Sequence, residues 1–279
     1  MVLNLDNAEL RKLIPNVIHE VEGEVSLYDK LLPWLESARN WLEMKLLGSS
    51  FEPEGEVRKL VLKIIVARAF ASAVPSLDLT LSPAGFAVIS TEGRAPASKE
   101  RVARLIESLN SSVDANTVVL RAMLNSVPEW TGSNMGRYFR EVCIPDFDGV
   151  RAFLRKDADL FGTYRRMHRL AVNFETSLAR YFIGEDLLAD VHENFPDCSA
   201  KALNIVYSAI RDSAFRFIQA HFDDSEVGHP DEHELWHLAE PVIYAIRLSP
   251  ELHERWQLDM GEVVNRQLFK NTRKGGYWF

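Results

Sequence analysis

His233-Glu234-Leu235-Trp236-His237 is the stretch whose residue types and spacing most directly spell chemistry. Two histidines four apart on a helix share a face and can hold one zinc ion, and a glutamate just after the first can activate the zinc-bound water. Its surroundings argue against that use. Glu232 adds a second carboxylate where the motif ordinarily has an uncharged residue, and Pro241 removes the backbone donor that would reach the carbonyl of His237. Glu251, His253, Glu254 and Glu262 are candidate third ligands, but none stands at a spacing that completes a zinc-protease pattern. Leu235, Leu238, Val242 and Ile246 define an apolar helix face, and the two histidines fall nearly opposite it, beside Glu240 and Tyr244.

The remaining candidates are weaker. His19, His168, His192, His221, His229 and His253 are scattered and read as surface or satisfied core residues. Cys143 and Cys198 have neither a neighbouring cysteine nor a CxxC spacing, which argues against a disulfide scaffold or a thiolate zinc site and fits a reducing cytosol. No GxSxG, P-loop or dinucleotide-binding glycine pattern occurs, and "GSNMG" at 132–136 follows no strand. The expectation is a chain that is not an enzyme, with no catalytic residue, no metal and no cofactor. Zinc-dependent hydrolysis through His233, Glu234 and His237 is the alternative.

The elements that must position these residues are helical. At 279 residues, 47% hydrophobic and 26% charged, the chain has the composition of a globular protein of one large or two ordinary domains. A net charge of −8 argues against broad electrostatic adhesion to nucleic acid or anionic membrane and leaves room for local basic patches. The N-terminus carries no basic stretch leading into an apolar core, so no secretory signal is expected. The most apolar window, residues 60–74, is too short and too charged, with Lys63 and Arg68, to span a bilayer.

Leu27, Leu31, Leu35, Ala38, Leu42 and Leu46 form one stripe, predicting an amphipathic helix from Ser26 to Gly48 with Pro33 kinking it or marking its first turn. A second helix is predicted over about 56–73. The period then switches to two: Leu77, Leu79 and Leu81 alternate with polar residues, and Phe86 and Val88 alternate with Ala87 and Ile89. Ser82-Pro83-Ala84-Gly85 suits a type I turn, so a β-hairpin is predicted at 79–90, with an irregular loop whose leucines pad the core as the alternative. Ser98 is the expected N-cap of a long helix that follows.

Residues 128–149, rich in Pro, Gly and Asp, break the pattern and read as a linker between an N-terminal helical domain (1–127) and a C-terminal one (150–279). In the second half, "DADLFGTYRRMHRLAVNFETSLARYFIG" resembles the first helix in length and in its terminal Ile-Gly; one helical half following another suggests a diverged internal duplication, though the identity between the halves is too low to press it. Ser199 and Ser249-Pro250 are further helix-start signals. The predicted fold class is mainly α, a helical bundle in two halves with a small β-hairpin insertion. Tyr277, Trp278 and Phe279 follow a Gly-Gly hinge and suit docking onto a neighbour or, equally, tucking back onto the chain's own core.

"LDLTLSPAGFAVISTEGRAPASKERVARLI", preceded by "LYDKLLPWLESARNWLEMKLLG" and closed by "FKNTRKGGYWF", resembles an uncharacterised family encoded in Bacteroidetes phages and prophages beside the head and neck genes. More distantly, the first half is similar to the helical head-tail connector (head-completion or neck adaptor) proteins of tailed phages. The resemblance implies a virion structural protein of the neck region, made in the host cytoplasm. It also implies a homo-oligomeric ring, portal and tail or neck proteins as partners, and passage of DNA without sequence-specific binding. Leu79, Leu81, Phe86, Val88, Ile89, Tyr277, Trp278 and Phe279 are the expected interface residues. A helical adaptor of unrelated cellular role is a further alternative.

Overall fold

The structure, a computed structural model, describes residues 5–14, 25–77, 79–82, 85–88, 98–144, 146–154, 159–194, 200–224 and 228–268. The fold is mainly α-helical. It divides into two compact units, residues 1–136 and 137–279.

In the first unit α1 (Asn7–Leu13) precedes α2 (Leu27–Leu42), whose N-cap Ser26 accepts the Asp29 N–H at 3.1 Å. Pro33 lies in the second turn of α2 and leaves the helix unbroken. After a connection of seven residues, 48–54, comes α3 (Gly55–Leu77). Val61, Ile64, Ile65, Val66, Ala69 and Ala73 are all buried, and apolar residues on so many sides mark a central helix. It packs on α2 and most extensively on α4 (Lys99–Leu124), which opens on Ser98 as its spacing predicts. Between α3 and α4, β1 (Leu79–Ser82) pairs antiparallel with β2 (Gly85–Val88), Leu79 opposite Val88 and Ser82 opposite Gly85. The turn residues Pro83 and Ala84 lie outside the described residues. A short helix, α5 (Pro128–Thr131), carries the buried Trp130.

The second unit begins inside α6 (Asn134–Arg140) and continues through α7 (Asp148–Arg151), α8 (Leu160–Leu178), α9 (Glu185–Glu193), α10 (Lys201–His221), α11 (Glu232–Arg247) and α12 (Pro250–Leu268). Ser249 accepts the Leu252 N–H at 3.5 Å, in keeping with the start signal there, while Ser199 lies outside the described residues. The core is strongly aromatic: Phe139, Phe147 and Tyr164 pack with centroids 4.8–5.9 Å apart, with Phe161 against Phe147 at 5.3 Å.

The stretch 128–149, expected as a linker, also contributes side chains to both cores. The division between units falls within it, but Trp130 belongs to the core of the first unit, and Phe139, Val142, Cys143, Ile144 and Phe147 to that of the second. Its prolines and glycines interrupt helical periodicity by cutting the chain into helices of four to seven residues, and its apolar side chains still bury.

The two units repeat one local plan. Helix α2 ends in a π-helical turn, Glu43–Leu47, closed by Gly48 N–H to the Glu43 carbonyl at 2.8 Å. Helix α8 ends in another, Ala179–Ile183, closed by Gly184 N–H to the Ala179 carbonyl at 2.9 Å. The two glycines have φ of 80° and 89°, which an L side chain rarely adopts. Counted back from each glycine, buried Leu31, Leu35, Ala38 and Leu42 match buried Met167, Ala171, Phe174 and Leu178. The indole N–H of Trp130 donates to the Leu46 carbonyl at 2.9 Å, and that of Trp256 to the Phe182 carbonyl at 2.7 Å, in each case two residues before the glycine. Each indole also faces an arginine nine residues earlier, Arg121 at 5.1 Å and Arg247 at 5.6 Å. A methionine meets each glycine, Met135 at Gly48 and Met260 at Gly184.

This correspondence sets α2, α3, α4 and α5 against α8, α10, α11 and α12, and it exposes two additions. The hairpin sits between α3 and α4, where residues 222–231 join α10 to α11. Helix α9 sits between the second π turn and α10, where only residues 49–54 join the first π turn to α3.

Candidate functional site

The pentapeptide 233–237 lies in the first two turns of α11, whose N-cap Asp231 accepts the Glu234 N–H at 2.8 Å. His233 and His237 are exposed on the face predicted for them, with their Nε2 atoms 3.3 Å apart. Glu234, the residue a zinc hydrolase would use as base, instead reaches α10 and meets His221 Nε2 at 2.7 Å. A carboxylate so paired is turned away from the two histidines and is not poised over water between them. Among the described residues, no third His, Cys, Asp or Glu joins them in a group able to hold a metal.

For the predicted interface, the structure places Leu79, Leu81, Phe86 and Val88 in the two paired strands. Ile89, Tyr277, Trp278 and Phe279 lie outside the described residues. The sheet has two strands, so among the described residues each strand keeps one edge with no ladder partner. Such an edge is a template for an added strand.

A third constellation was not anticipated. Cys143, Glu175 and His192 each offer one ligand atom, and the three atoms lie within 4.8 Å of one another. Glu175 projects from α8 and is 1% exposed, a burial that a carboxylate tolerates only when its oxygens are satisfied. Its Oε1 accepts the Cys143 backbone N–H at 2.9 Å and its Oε2 meets His192 Nε2 at 2.8 Å. His192 stands in the last turn of α9, and the Arg140 guanidinium holds that helix end by donating to the carbonyls of His192 and Glu193. Tyr207 of α10 is buried beside them. Burial, reinforced by the proximity of Cys143 and Glu175, pushes its hydroxyl far above the ordinary tyrosine range, so it stays protonated and can only donate or accept a hydrogen bond.

Two chemistries use Cys, His and Glu together: a thiolate nucleophile activated by an imidazole, and metal ligation. Cys143 is 1% exposed, which closes it to a substrate, whereas the 20% exposure of the His192 side chain leaves the cluster open at one corner to something the size of an ion. His168, also on α8, does not join it: its Nε2 meets the Tyr138 carbonyl at 3.0 Å and its ring stacks on Tyr138.

Sequence reading missed this cluster because its members stand 32 and 17 residues apart, on two helices and the segment before α7, a spacing that matches no motif. The available signal was Glu175 itself, a charged residue on the apolar stripe of α8, where the first unit has Arg39 at the same distance from its glycine.

Among the described residues, no helix is long and apolar enough to cross a membrane. No curated protein and no solved structure matches the chain. Residues 14–140, nearly all of the first unit, match the model of a family of unknown function, DUF6712.

Proposed function

We propose that this chain is a phage virion structural protein, a head-tail connector or neck adaptor that acts by oligomeric assembly. The observation that carries the reading is the hairpin. Both units join their two main helices, but the second does so with a short connection and the first with a two-stranded hairpin. A sheet of two strands gains little stability on its own, so its addition to a self-sufficient helical plan suits a contact element more than a core element. Its unpaired edges offer a neighbour main-chain hydrogen bonds. The sequence resemblance of this same segment supplies the context: a ring formed with copies of itself, portal and tail or neck proteins on either side, in the virion after assembly in the host cytoplasm. A chain of net charge −8 would let DNA pass without adhering.

The test is the mass of the complex in solution, alone and on the portal, for the full chain and for a variant lacking residues 79–93. The full chain is expected to assemble in at least one of the two conditions, and the variant in neither, with its helical circular dichroism retained. Unimpaired assembly of the deletion variant would remove the hairpin from the interface. A full chain that stays monomeric with and without the portal would rule out the connector role.

A further inference from the structure

We propose that Cys143, Glu175 and His192 form a binding site for one zinc-class divalent ion, which joins the segment before α7 to helices α8 and α9 of the second unit. The donor set of one sulfur, one imidazole nitrogen and one carboxylate oxygen is that of Zn²⁺ and its neighbours. Mg²⁺ and Ca²⁺ prefer oxygen alone. The ligand atoms are already within 4.8 Å of one another, so binding requires only local adjustment of side chains.

Three features point to a ligand beyond a self-contained hydrogen-bond network. First, His192 is supplied by α9, the helix that the second unit adds to the common plan, and Glu175 replaces an arginine at the corresponding place. The first unit is built on that plan with neither residue, so the fold does not demand them. Second, the supporting contacts are those of a ligand set: Glu175 is oriented by a backbone N–H, and the helix end bearing His192 is fixed by Arg140. Third, the charges balance. A thiolate and a carboxylate together carry −2, and a divalent ion between them leaves a nearly fully buried site neutral.

Binding can be written with every proton placed. The Cys143 thiol loses its proton to solvent and the sulfur bonds the ion. The Nε2–H shared with Glu175 gives way to Nδ1–H, so the imidazole stays neutral, and both partners turn to the ion. Glu175 Oε1 keeps the Cys143 N–H. Three protein ligands leave a fourth position for water.

Cobalt titration of the metal-free full chain tests this directly. Co²⁺ is expected to bind one per chain, with a thiolate-to-cobalt charge-transfer band and the intense visible spectrum of a low-coordinate site, and Zn²⁺ should displace it. Cys143→Ser, a near-isosteric change, should abolish the charge-transfer band, and His192→Gln, at the exposed corner, should weaken binding at least about ten-fold. Cys198→Ser and the double variant His233→Gln/His237→Gln should titrate like the parent. Absence of the band in the parent, its survival in Cys143→Ser, or its loss with Cys198 or with His233 and His237 would each overturn the proposal. Loss with His233 and His237 would move the metal to the exposed pair on α11.

Discussion

His168 and His192 were alike in the sequence, two scattered histidines, and their environments separate them. His168 is buried beneath Tyr138, and burial holds its pKa below the ordinary imidazole range, although the Tyr138 carbonyl, Glu141 and Glu175 all pull the other way. The folded protein therefore keeps it neutral, while the unfolded chain takes up a proton near the ordinary imidazole value of about 6.5. Below that pH the unfolded state binds more protons than the folded one, so stability is present above about pH 6.5 and falls with acidification. His168→Gln keeps an N–H for the Tyr138 carbonyl and removes the titration. Its urea midpoint is expected to drop less than the parent's between about pH 7.5 and about pH 5. Parallel slopes for the two proteins would assign the acid sensitivity elsewhere. None of this was legible beforehand, because burial of one histidine and rim exposure of another depend on which helices meet. The polar face carrying His233 and His237 was legible, since one helix suffices to define it.

At the scale of elements, the periodic stripes located α2, α3 and α4, and alternation located the two strands. The π turns were hidden. A turn with one additional residue leaves the apolar positions on either side intact, and only the closing glycine betrays it. Gly48 and Gly184 adopt φ of 80° and 89° with ψ of 159° and 145°, a region nearly closed to other residues. Gly184→Ala is expected to cost about 1–3 kcal/mol by chemical denaturation, and Gly48→Ala a similar amount. Trp256→Phe retains most of the buried ring and leaves the Phe182 carbonyl without its indole donor, for an expected loss of about 1–3 kcal/mol. If Trp256→Phe and Trp130→Phe both unfold at parental midpoints, the two indole bonds contribute nothing to the turns they seal.

At the scale of the molecule, two helical halves were predicted, and the structure divides after Gly136. The stretch 128–149, expected as the boundary, contains the division, and within it Trp130, Phe139 and Phe147 are buried. Because each unit has its own core and its own sealed turn, residues 1–136 and 137–279 are expected to fold as separate proteins. Each should show helical circular dichroism and a cooperative urea transition followed by tryptophan fluorescence. A fragment that titrates without a cooperative transition would show that its unit depends on the other.

The paired π turns also carry a history. Each holds one residue more than an α-helix would at that point, at the same distance from the same glycine and beneath the same tryptophan. One insertion in an ancestral single unit, followed by doubling of the gene, accounts for both, whereas two independent insertions would have had to strike the same turn. On that account the hairpin and α9, each present in one unit among the described residues, would date from after the doubling. Single-unit descendants of that ancestor are expected to keep the turn, its glycine and its tryptophan, and to lack at least one of the two later additions.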